Sequence, residues 1–247
     1  TDRYLFDGIL KTLYGEDNPA SHMNGMLYKN FQSLTYEHVK EVYEKNYHFD
    51  NAMIVLYGKL DWRDWLEFLD AHYLSDDPAQ GTDVMKVLEE PIPEGYREAV
   101  IDVPVYTGAE TENQSSICYA LDLQNLTEEE FYQLEYMMGM IADSRSELIK
   151  EGEKRNLPTE IVGWTDLEFA HPMACFGLFY CDEKDKDALL DAVKTGLSEL
   201  AENGVDEAIY SSNMASTRLS DGLTLEDSSS GVNIASSTLL GWVSLGD

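Results

Sequence analysis

The 247 residues carry 47 acidic against 17 basic side chains, a net charge of −30, with 43% apolar and 11% aromatic content. This is the composition of a folded globular protein with room for one large or two modest domains, not of a disordered chain. It argues against nucleic-acid and anionic-membrane partners, because phosphate binding needs clustered Lys and Arg and none is present.

The acidity reads first as solubility in a cytoplasm and, more sharply, as a negative surface that attracts basic peptides. No run approaches the ~20 apolar residues that span a bilayer, and no basic start leads into an apolar segment as in a secretory signal. The expectation is a cytoplasmic protein. The first residues, TDRYLFDGIL, already read as mid-domain helix, so an excised piece of a longer chain is expected.

In chain order, Tyr4, Leu5, Ile9, Leu10 and Leu13 fall at helical spacing over residues 3–14 and stop at Gly15. GEDNPASHMNG is a polar loop. Thr35 is a good N-cap with Glu37 in the first turn, and Tyr36, Val39, Tyr43 and Tyr47 form a stripe predicted to face a core. Asp50-Asn51 breaks that helix. The six apolar residues Ala52 to Tyr57 then read as a central strand. Asp61 caps a further helix bearing Trp62, Trp65, Leu66, Leu69 and Tyr73.

Residues 76–95 are linker-like, polar and Pro-containing, and divide a first unit, 1–75, from a second, 96–247. In the second, YREAVIDVPVY and SSICYALDL read as strands, the latter with Ile117, Tyr119, Leu121 and Leu123 on one face. Thr127-x-x-Glu130 is a capping box. It opens a helix with Phe131, Leu134, Met138, Ile141 and Leu148 that Gly152 ends. TEIVGWTDLEF and MACFGLFYC suggest an antiparallel pair joined at AHP. A helix from Asp185 to Asn203 stops at Gly204. Another starts near Asp206, and after a turn at DGLTLEDSSSG a last one ends at Trp242. Strands in pairs with helices between them predict an α+β fold, an antiparallel sheet with helices packed on one face.

Chemistry-bearing residues are sparse. Cys118, Cys175 and Cys181 lie in apolar strand patterns. Cys175 and Cys181 are ~20 Å apart along one strand, too far for a disulfide. All three read as buried thiols of a reducing compartment. The histidines are His22, His38, His48, His72 and His171. His38 and Glu41 come nearest to a zinc motif, but the inverted H-x-x-E-H needs a second His where Val42 stands. His38 therefore reads as a solvated surface histidine. There is no G-x-S-x-G elbow and no Gly-rich phosphate loop after a strand. In a chain this acidic no pair of carboxylates is informative. The residues by themselves nominate no catalytic, cofactor-binding or metal-binding position.

LTYEHVKEVYEKNYHFDNAMIVLYGKLD, residues 34–61, resembles the segment closing the first domain of pitrilysin/insulinase-type inverted zinc peptidases. The preceding LYGEDNPASHMNG, together with MMGMIADSRSELIKEGEKRNLP and RLSDGLTLEDSSSGVNIASSTLLGWVSLGD, resembles the presequence-protease branch, in the same order. The resemblance implies four homologous α+β metallopeptidase-type (LuxS/insulinase-like) domains in two halves that close around unfolded peptides. Zinc would be held in the first domain by the two His of H-x-x-E-H and a later Glu, positions that this sequence does not contain. The chain would then be the end of domain one and most of a second, non-catalytic domain. Its role would be structural, as chamber wall, in a zinc metalloendopeptidase. Its partners would be the rest of the parent polypeptide and unfolded peptides, basic ones among them. Two alternatives stay open: a non-catalytic scaffold or peptide-binding relative of the same superfamily, and an independent acidic peptide-binding module.

Overall fold

Nine residues, Met173–Cys181, form the strand (β3) around which the first of two units is built. The computed structural model describes residues 2–22, 28–49, 52–74, 92–103, 107–110, 112–123, 126–166 and 172–245. It divides into one unit of Thr1–His22 with Ile92–Leu223 and another of Met23–Pro91 with Thr224–Asp247. The linker read over 76–95 lies outside the described residues up to position 91.

In the first unit β3 is central, with β1 (Ser115–Asp122) on one side and β2 (Val162–Asp166) on the other, both antiparallel. The register sets Tyr119 opposite Phe176 and Ala120 opposite Cys175 on one side, and Trp164 opposite Cys175 on the other. Residues alternate between faces along a strand. Ala174, Phe176 and Leu178 therefore share one face, and there they pack with Met138, Ile141, Leu148, Leu189 and Ala192 in the main core. The helices supplying that core are α4 (Glu128–Ile141), α5 (Glu147–Lys154) and α6 (Lys186–Asn203).

The opposite face is covered as well, by α1 (Asp2–Tyr14). Leu10 and Tyr14 are fully buried, and the Phe6 ring lies 6.2 Å from that of Trp164. The mixed α+β architecture with a small antiparallel sheet thus holds, while the expectation of helices on one face only is corrected. The reason is visible in β3, whose unbroken apolar run MACFGLFYC needs cover on both sides.

Local signals placed most boundaries. Thr127 Oγ1 accepts from Glu130 N–H while Glu130 Oε2 accepts from Thr127 N–H at 2.8 Å, closing the capping box. Gly204, with φ 76°, ends α6 in a conformation that favours glycine. The helix expected to run from 127 to 152 is in fact two. Its chain turns at Ala142 to Ser146, and Ser146 Oγ accepts from Ile149 N–H to start α5. Gly152 lies inside α5 rather than ending it, because a Cβ there would press on Ile161 and Leu157 at 3.3 and 3.4 Å. Gly196 likewise brings α6 against α5; a Cβ would fall 2.5 Å from Leu148 Cα. The segment read as a strand from Tyr96 makes no ladder over 96–103, and residues 104–106 lie outside the described residues. Of the hinge AHP of the β2–β3 pair, Ala170 and His171 also lie outside. The helix after Asp206, α7 (Glu207–Glu226), runs on through the DGLTLE expected as a turn; the turn falls at Asp227 to Ser229.

The second unit contains α2 (Tyr36–Asn46), α3 (Trp62–Leu69) and α8 (Ser230–Leu245). Thr35 caps α2 and Asp61 caps α3, as their sequences predict. Two expectations fail. The stripe Tyr36, Val39, Tyr43 and Tyr47 is exposed rather than core-facing, with Tyr36 76% exposed. The run 52–57 is not a strand: it makes no ladder, and Met53, Ile54, Leu56 and Tyr57 are exposed. An apolar run becomes a strand only with a neighbour to bond, and no described strand belongs to this unit. The Tyr57 ring instead lies against the backbone of Gly231, where a Cβ would stand 1.9 Å from Tyr57 Cζ.

Candidate functional site

His38 lies on α2, exposed, its N–H donating to Thr35 Oγ1 at 3.2 Å. Glu41 follows one turn later, and Val42 occupies the i+4 position. His48 is within 2.6 Å of the Glu44 carbonyl oxygen, and the exposed His72 ring packs on Phe68 at 4.7 Å. His22 is exposed at the end of the first segment of the other unit. Zinc needs three converging protein donors and an open position. Among the described residues no three His, Cys, Asp or Glu side chains are gathered to hold a metal ion. The donors among the described residues do not fit a zinc centre.

The thiols lie within the sheet. Cys175 and Cys181 are fully buried and Cys118 half-buried, all free. A hydrogen bond with Cys118, reinforced by burial, pushes the Cys175 thiol far up. Burial pushes Cys181 up to about 11, and its Sγ donates to the Ser115 and Leu178 carbonyls. Thiols kept protonated in this way are poor nucleophiles. Tyr14, the last residue of α1, is pushed up by burial and then by the nearby Asp122.

Polar order concentrates at the turn between α4 and α5. Arg145 grips Asp143 through two parallel bonds of 2.8 Å, the planar fork geometry that favours Arg. Its Nη2 also donates to Ser212 Oγ on α7 at 2.9 Å. The Arg145 bonds hold the Asp143 carboxyl well below the usual carboxylate range. Asn213 joins this network, its amide donating to the Ile209 carbonyl at 3.1 Å and to Asp143 at 3.4 Å. A second anchor ties α5 to α6: Glu151 receives Lys154 at 2.5 Å and Arg155, and Arg155 reaches Thr195 Oγ1 at 3.1 Å.

Beside the first network, α4 and α7 enclose a cleft of about 330 Å3. Its α4 wall is Glu135, Tyr136, Gly139 and Met140, spaced to share one helical face. Its α7 wall is Asn213, Met214, Thr217 and Asp221. The Asn213 amide hydrogens are spent on Ile209 and Asp143, so its carbonyl oxygen turns toward Gly139. Sequence reasoning set these carboxylates aside because acids are common throughout the chain. The signal available was Gly139 among the methionines of MMGM, a missing side chain on a helix face.

The first unit is a mixed helix and sheet fold with a cleft on one side, and no metal centre is assembled among the described residues. The chain belongs to the M16 peptidase family: residues 33–215 match the family model described as the Peptidase M16 inactive domain. No curated protein and no solved structure matches it.

Proposed function

We propose that this chain is a structural, non-catalytic segment of a zinc-dependent metalloendopeptidase of the presequence-protease type, forming part of the wall around unfolded peptide substrates. The observation that carries this reading is the match to a domain class described as inactive over residues 33–215. The donor chemistry supports it: His38 has a Val at the position a second ligand would need. The segment comprises the end of a first peptidase-like domain (1–75), a linker (76–95) and most of a second domain (96–247), and it works in the cytoplasm beside the rest of its parent polypeptide. With a net charge of −30, its surface attracts basic peptides by electrostatic focusing.

The test is cleavage of a short unfolded peptide by the full-length parent and by the 247-residue chain, each with and without a chelator. The expected result is chelator-sensitive cleavage by the parent and none by the chain. Cleavage by the parent that ignores the chelator contradicts the peptidase reading. A parent reading frame without H-x-x-E-H replaces it with the scaffold alternative.

A further inference from the structure

We propose that the cleft between α4 and α7 receives the guanidinium group of an arginine side chain presented by a partner peptide. At about 330 Å3 the cleft is at the lower end of the ~300–1,000 Å3 typical of ligand pockets. Beside the Tyr136 and Thr217 hydroxyls, which can donate or accept, three of its polar groups are acceptors without donors. Glu135 and Asp221 make no hydrogen bond or ion pair among the described residues, and the Asn213 carbonyl oxygen accepts none. That oxygen is not free to reorient. The Arg145–Asp143 clamp and the Ile209 carbonyl take both amide hydrogens, which fixes the acceptor on the cleft side beside Gly139.

The remaining lining decides which cation fits. Tyr136 offers an aromatic face, and Met140, 5% exposed, and Met214 offer polarisable thioethers. An ammonium is compact and strongly hydrated, and it would lose its water to these apolar groups. A guanidinium is flat and weakly hydrated; it stacks on an aromatic ring while its edge donates to several acceptors. Gly139 leaves the floor open, since a Cβ there would come within 3.4 Å of Asn213 Oδ1.

This inference rests on, and deepens, the basic-peptide part of the proposed function, yet the two fail separately. A cleft that ignores arginine leaves the chelator result standing, and a chelator-insensitive parent leaves arginine binding standing. The experiment follows backbone amide shifts of the 247-residue chain during titration with acetyl-Gly-Arg-Gly-amide, its citrulline counterpart and its lysine counterpart. Shifts are expected at 135–140 and 213–221 with the arginine peptide, weaker ones with lysine and none with citrulline. The double variant Glu135→Gln with Asp221→Asn is expected to weaken arginine binding about tenfold or more while keeping the wild-type circular dichroism. Absence of shifts with arginine, equal shifts with citrulline or lysine, shifts spread over the acidic surface at large, or unchanged affinity in the double variant overturns the proposal.

Discussion

The two units of this chain use similar helical grammar to different ends. In the first, β3 is covered on both faces, and Leu148, Leu178, Leu189 and Cys181 are entirely shut away from water. In the second, α2 and α3 each start on a side-chain cap as α4 does, yet among the residues of that unit whose side chains are described none is buried. The difference separates what local sequence supplies from what packing supplies. A cap satisfies orphan donors and fixes where a helix begins. It does not hold together helices of 11 and 8 residues, which are marginal in water without an apolar face to bury. Stability therefore resides in the first unit, where apolar burial is the dominant favourable contribution.

The sharpest way to break this comparison is a matched pair of truncations. Leu178→Ala in β3 is expected to cost about 2–5 kcal/mol, through lost transfer energy and a residual cavity. Leu66→Ala on α3, where the side chain is 49% exposed, is expected to change stability by less than about 0.5 kcal/mol. Urea unfolding midpoints of the two variants decide the matter, and equal losses would erase the contrast.

A smaller effect sharpens it. Asp143 is an acid whose folded pKa is depressed, so its contribution is present above the unfolded carboxylate value of about 3.9 and is lost as pH falls through the folded one. Asp143→Asn keeps the shape and removes the charge that Arg145 grips. It is expected to lower stability at pH 7 by about 1 kcal/mol and to flatten the loss of stability below pH 4. A variant with the wild-type acid profile would assign that profile to other carboxylates.

The sequence made legible those features whose cause is local. Thr35, Asp61 and Thr127 are caps because a side-chain oxygen reaches a backbone N–H two or three residues away, and no distant partner is required. The apolar run of β3 is equally plain, and its lack of alternation is the mark of a strand covered on both faces. What failed was relational. Ala52 to Tyr57 has strand composition, but a strand is a property of a pair, and periodicity cannot supply the neighbour. The stripe of α2 shows the same limit: helical spacing says which side chains share a face, not what the face meets. Ser146, a good cap, marked a new helix inside what periodicity joined into one. Gly152 resembles a stop signal yet allows Ile161 and Leu157 to approach. The cleft is hidden for a related reason, since Glu135 and Asp221 are 86 positions apart and line one cleft only once α4 and α7 have packed.

The central claim is that these residues shape and support a peptidase without carrying its metal. Elemental analysis of the purified 247-residue chain, after exchange into metal-free buffer and one addition of zinc followed by dialysis, tests it most directly. The account predicts well under one zinc per chain, with the same thermal midpoint before and after the addition. One tightly held zinc per chain, released only by a chelator and raising that midpoint, would contradict it.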